Sequence, residues 1–181
     1  FRSLVLSATG SAGYVFGWGG DHVRINDRFF KGGDTFRGFQ IAGIGPRDIT
    51  LGRDDALGGK AYAIGTFELT VPTFLPEQYG IKAALFSDFG AIGLLDPVDK
   101  LGPVPIDPND STKGFLKDAN GNLVLQRSPY IKDDFGLRAS GGLSIFWKSP
   151  MGPLRFDFSQ VLAKQSYDKT ETFRFSTSTR F

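Results

Sequence analysis

The feature that most constrains this chain is an alternation of apolar with small or polar residues, sustained well past ordinary strand length. Between Leu4 and Trp18 the even positions read Leu4, Leu6, Ala8, Gly10, Ala12, Tyr14, Phe16 and Trp18, while Ser7, Thr9, Ser11 and Gly13 hold odd ones. Successive side chains of an extended backbone point to opposite faces, so such a run makes a strand with one greasy and one wet side. A soluble strand is usually about five or six residues long. The pattern recurs at 59–72, with Phe67, Leu69 and Val71 opposite Thr66, Glu68 and Thr70, and at 80–94, with Leu85 and Phe89 opposite Phe86, Asp88 and Gly90. At 135–148, Leu137, Leu143, Ile145 and Trp147 oppose Arg138, Ser140, Ser144 and Lys148. It is cleanest at the end of the chain. There Leu154, Phe156 and Phe158 alternate with Arg155, Asp157 and Ser159, and Phe173, Phe175, Thr177, Thr179 and Phe181 alternate with Arg174, Ser176, Ser178 and Arg180.

A soluble β-sandwich alternates too, but its strands are shorter and its apolar face need not be so rich in rings. The 24 glycines and 18 phenylalanines, against one methionine and no cysteine, suit twisted strands with aromatic surfaces. The expected fold class is therefore all-β, a transmembrane antiparallel β-barrel to which this chain contributes about six strands. No stretch reaches the roughly 18 to 20 consecutive apolar residues of a spanning helix, so a crossing would use strands. Short links at 72–79 and 149–153 alternate with long polar ones at 19–57 and 96–134, and the last link, 163–170, is intermediate. Barrels of the outer membrane place short turns toward the periplasm and long loops outside. Six strands cannot close such a barrel, so the others are expected upstream of Phe1 or in another chain. With no initiator methionine and a start inside a strand, the sequence reads as a fragment or processed product of one barrel domain.

Composition also narrows the chemistry. Without cysteine there are no disulfides or thiolate metal sites. A formal charge of +2, from 21 basic and 19 acidic residues, gives no reason to expect a nucleic-acid partner. The single histidine, His22, excludes a catalytic triad and a histidine-rich metal site, and is assigned to solvated loop. Asp118-Ala119-Asn120-Gly121-Asn122 has its glycine at the fourth rather than the sixth place of a calcium loop and reads better as a hairpin turn. Lys31-Gly32-Gly33-Asp34 lacks phosphate-loop spacing, and the sequon Asn109-Asp110-Ser111 carries no weight if the source is bacterial. Asp54-Asp55 and Asp133-Asp134, at loop-to-strand junctions, are expected to be solvated rims. No catalytic residue, cofactor or metal is expected, and the chain does not read as an enzyme.

Two features remain. Phe36-Arg37-Gly38-Phe39 sets a charge between two rings inside a long loop, and such a tip is expected to be tucked against something. Glu68 and Asp88 share the wet face of consecutive strands, where three readings compete. The first is an acid/base pair, which needs a cleft and one raised pKa; the second, blander, is that they simply solvate a lumen; the third is that they hold Arg37, whose planar fork requires carboxylates wherever it is partly dry.

Several segments, in order, resemble the C-terminal half of the barrel of BamA-type outer-membrane assembly factors. They are the run from Phe29 to Phe39, then Ile44-Gly45-Pro46, Asp55-Ala56-Leu57-Gly58-Gly59 and Phe67-Glu68-Leu69-Thr70-Val71-Pro72, followed by Asp88-Phe89-Gly90, Ser149-Pro150-Met151-Gly152-Pro153-Leu154 and the terminal strand ending in Phe181. The resemblance implies a barrel of sixteen strands behind periplasmic POTRA domains, in a Gram-negative outer membrane. It implies that the loop at 19–57 enters the lumen, that Arg37 pairs with Glu68 and Asp88 on the wall, and that the loop at 96–134 is extracellular. Phe36 stands where the family commonly has valine. Phe173, Phe175 and Phe181 resemble the terminal β-signal by which such barrels are recognised, and also suit a plain lipid-facing strand. The implied function is insertion of other barrel proteins, with lipid, unfolded clients and accessory lipoproteins as partners. A TamA-like factor, a two-partner secretion pore and a passive porin are the alternatives.

Overall fold

The computed structural model describes residues 4–52, 54–72, 79–107, 110–150 and 152–177. The strands, in chain order, are β1 (Val5–Tyr14), the short β2 (Arg47–Asp48) and β3 (Asp55–Ala56), β4 (Ala61–Val71), β5 (Ile81–Gly93), the short β6 (Leu101–Pro103), β7 (Leu125–Arg127) and β8 (Ile131–Lys132), then β9 (Arg138–Ser149), β10 (Gly152–Ala163) and β11 (Phe173–Thr177). The six long ones form a single antiparallel sheet in the order β1-β4-β5-β9-β10-β11, so each pairs with the next along the chain. The period of two is realised as two unlike faces. Opposed pairs such as Thr66 with Asp88, Asp88 with Ser140, and Ser144 with Asp157 place the polar set on one side. The other side is apolar and bare, with Leu6, Phe67, Leu85, Leu137, Phe158, Phe173 and Phe175 all exposed.

The long link between β1 and β4 folds back over the polar face. Its Phe36, Phe39 and Ile44 pack with Ile64 of β4 and Ile92 of β5, and Phe29, Tyr62 and Val161 border this cluster. This buried apolar cluster is therefore made between a loop and a sheet.

The structure differs from the sequence expectations in places. β9 starts at Arg138, three residues after Phe135, because Arg138 Nη1 donates to the carbonyl oxygens of Asp134 and Gly136, both at 2.9 Å. β1 ends at Tyr14, and beyond it the exposed rings of Phe16 and Trp18 continue the apolar face. The rim reading of Asp133 is corrected. Its side chain is 5% exposed, accepts the amides of Leu94 and Leu95, and pairs with Lys100, so it closes the end of β5 instead of facing water. Asp118 does cap a turn, accepting the amides of Asn120 and Asn122 at 2.8 and 2.9 Å. The two long links are tied together by β2, which pairs with both β3 and β8. The turn at 73–78 and residues 178–181, Phe181 among them, lie outside the described residues.

Candidate functional site

The site is built from a turn, two rings and a guanidinium. Gly32, at φ 127°, starts a single helical turn at Gly33–Thr35, and the Thr35 hydroxyl closes it by accepting from the Gly32 amide at 3.1 Å and donating to the Gly32 carbonyl at 2.8 Å. The next residue is Phe36. Its ring and that of Phe39 are fully buried and meet edge to face, 5.2 Å apart at 85°. Burying both rings in the apolar cluster leaves Arg37, between them, pointing along the sheet to the acids.

Arg37 is held on all sides. Nε and Nη2 form a fork on Asp88, at 2.8 Å to Oδ2 and 2.7 Å to Oδ1, and the Arg37 backbone amide adds a third bond to Oδ2 at 3.0 Å. Nη1 reaches Glu68 Oε2 at 2.8 Å and Ser144 Oγ at 3.2 Å. The Phe86 ring lies 3.6 Å from the guanidinium carbon, a cation–π contact in a desolvated setting. Thr66 donates to Asp88 Oδ1 at 2.8 Å, and Ser140 donates to the Arg37 carbonyl at 2.5 Å. Gly38 then has φ 88°, and a Cβ there would sit 3.0 Å from the Ser140 Cβ. The positive φ favours glycine, and a Cβ would also crowd Ser140.

A charge this dry is tolerable only when its partners are close and its hydrogens are used. The Arg37 side chain is 5% exposed, Asp88 3% and Glu68 24%. Asp88 is the buried anchor and Glu68 the wetter one. The bonds continue past Arg37: Ser144 Oγ donates to Asp157 Oδ1 at 2.5 Å, which also accepts Arg155 Nε at 2.9 Å. One polar network therefore crosses β4, β5, β9 and β10. With both Asp88 oxygens engaged, the arrangement is a clasp, and the acid/base reading gains nothing from it.

Sequence reasoning named Arg37, Glu68 and Asp88, which the structure brings together. It placed Ser140 and Ser144 on the wet face without pairing them to the loop, and it passed over Thr66, Phe86 and Asp157 as contributors. The signal was register: all lie on the same face as Asp88 once the strands are aligned. Phe173 and Phe175 sit apart from the clasp, on the bare face, each 5.2 Å from a phenylalanine of β10. Among the described residues no cluster of His, Asp or Glu is arranged to hold a metal ion.

Known proteins share this chain's sequence and fold. It is 36% identical over 174 residues to the outer membrane protein assembly factor BamA of Neorickettsia risticii, covering 96% of this chain and 19% of that protein. To the factor of the same name from Neisseria meningitidis serogroup B it is 25% identical, covering 99% of this chain and 22% of that one. The crystal structure of BamA from Haemophilus ducreyi lacking POTRA domains 1–3 superposes with a TM-score of 0.68 at 24% identity, over 95% of this chain and 30% of that one. This chain thus spans about a fifth of the length of the curated relatives, and its sheet is part of a barrel wall. The Omp85 superfamily domain matches residues 1–181 throughout, and the chain belongs to that superfamily of β-barrel proteins of the Gram-negative outer membrane.

Proposed function

We propose that this chain is the C-terminal part of the barrel of an outer-membrane protein assembly factor, and that the Arg37 clasp braces the barrel while other β-barrel proteins are folded and inserted beside it. The observation that carries the reading is the clasp itself, in a chain 36% identical to a protein named as such a factor. The activity proposed is noncovalent. The outer edge of β11 pairs with no strand among the described residues, and free backbone donors and acceptors on an edge are a template for an incoming strand. The partners proposed are unfolded barrel clients, membrane lipid and accessory lipoproteins, with further strands and POTRA domains in the same protein. Phe173, Phe175 and Phe181 are proposed as part of the terminal signal for the protein's own assembly.

The test is insertion of a barrel client into proteoliposomes by the full-length protein, with and without Arg37→Ala. Loss of insertion together with lowered barrel stability is expected. Steady ion conductance with no effect on client insertion would instead point to a passive pore.

A further inference from the structure

We propose that a second clasp, the buried ion pair between Arg138 of β9 and Asp168, holds the link between β10 and β11 where its backbone grips the loop tip that carries Arg37, so that the last strand and the Arg37 clasp are positioned together. Both side chains are 0% exposed. The guanidinium meets the carboxylate as a fork, Nε to Oδ2 at 3.0 Å and Nη2 to Oδ1 at 3.2 Å, while Nη1 bonds the carbonyls at the start of β9. Asp168 Oδ2 also accepts the amide of Gln165 at 2.7 Å, which sets the turn of the link.

Immediately after Asp168 the chain runs antiparallel to the loop tip. Lys169 N donates to the Gly43 carbonyl at 2.8 Å, Gln40 N to the Lys169 carbonyl at 3.0 Å, and Glu171 N to the Gly38 carbonyl at 3.0 Å, with Phe39 opposite Thr170. Gly38 is the neighbour of Arg37. Phe173, two residues after Glu171, opens β11, and Arg174 of that strand bonds Glu171 at 2.6 Å and approaches Asp34 of the loop at 4.0 Å. The tip is therefore gripped from two sides, by the wall acids through Arg37 and by the last link through its backbone.

A fully buried ion pair adds little stability over well-packed apolar residues, yet breaking one is costly, which makes it suited to fixing a position. Moving β11 away from β10 at its Phe173 end draws Glu171 and Thr170 from Gly38 and Phe39. Releasing Arg37 frees the same bonds from the other side. An element whose arrangement both sites bias is the physical requirement for coupling. The inference rests on the assembly reading only in treating motion of β11 as relevant to clients.

The experiment is site-resolved amide hydrogen exchange on the full-length protein in lipid nanodiscs, with no client present, for the wild type, Asp168→Asn, Arg37→Ala and the double variant. Asp168→Asn is expected to speed exchange about tenfold or more at Gln40, Glu171 and residues 173–177, Arg37→Ala to speed the same set, and the double variant to fall short of the product of the two. Acceleration confined to 164–170, or strictly multiplicative effects, would overturn the proposal. If Asp168→Asn does not fold, Arg138→Lys keeps the charge but loses the fork, and is held to the same criteria. Because no client is present, failure here leaves the assembly reading standing. Coupled exchange without client insertion would defeat that reading alone.

Discussion

Asp88 and Glu68 hold one guanidinium on unequal terms. Asp88 is nearly dry and accepts four hydrogen bonds, whereas Glu68 is a quarter exposed and accepts one from Arg37. Asp88→Asn is expected to cost about 3 to 5 kcal/mol, as for a broken buried pair. Glu68→Gln is expected to cost about 1 kcal/mol or less, since solvent screens it. Urea unfolding of the full-length protein in lipid checks both, and equal costs would refute the ranking. Arg37→Lys is expected to recover little of the loss from Arg37→Ala, because an ammonium cannot reproduce the fork. Gly38→Ala is expected to cost about 1 to 3 kcal/mol in the same assay, from its positive φ and the approach of Ser140. From the residues alone, the need to tuck the tip was legible, and a grip of Arg37 by Glu68 and Asp88 was one of three open readings. The choice of Asp88 as anchor was not, because exposure is a property of neighbours 51 residues away.

At the scale of strands and loops, the bare face makes its own prediction. Leu85, in the middle of β5 and 52% exposed, faces away from the clasp. Leu85→Lys is expected to destabilise the barrel in a bilayer by about 2 to 4 kcal/mol, while leaving amide exchange around Arg37 unchanged. The loops answer to pH instead. Hydrogen bonding from Lys169 holds Asp54 below the ordinary carboxylate range, and Lys60 does the same for Asp96. A carboxylate with a lowered folded pKa contributes stability above its unfolded value and loses it as pH falls through the folded one. Both tethers are therefore intact at neutral pH and weaken only below about 3.9. Carboxylate-resolved NMR titration is expected to place both midpoints below that value, and Lys169→Ala to return Asp54 toward it. Strand existence was legible at this scale, because the pleat writes a period of two into the sequence. Strand ends were less so: Arg138 diverts the carbonyls of Asp134 and Gly136 from the ladder, which no periodicity reveals. Asp133 looked like a rim for the same reason, since its partners are the amides of another strand's end.

For the whole molecule, the described sheet has two outer edges, β1 and β11, and a broad apolar face. Unpaired edges and exposed rings drive association in water and in micelles. Residues 1–181 produced alone are expected to self-associate in detergent, as read by light scattering, and a stable monomer would show that this piece covers its own edges. The alternation along the chain determined by itself that there would be about six strands in one sheet, which face would be wet, and that Glu68 and Asp88 would share it, because side-chain direction in a strand is local and periodic. The tertiary structure decided what the periodicity could not carry: that the loop-borne Arg37 lies on Asp88 over Phe86, and that Asp168 meets Arg138 30 residues back along the chain. Those contacts depend on how loops without a repeat fold across a sheet, and burial there is set by the whole packing.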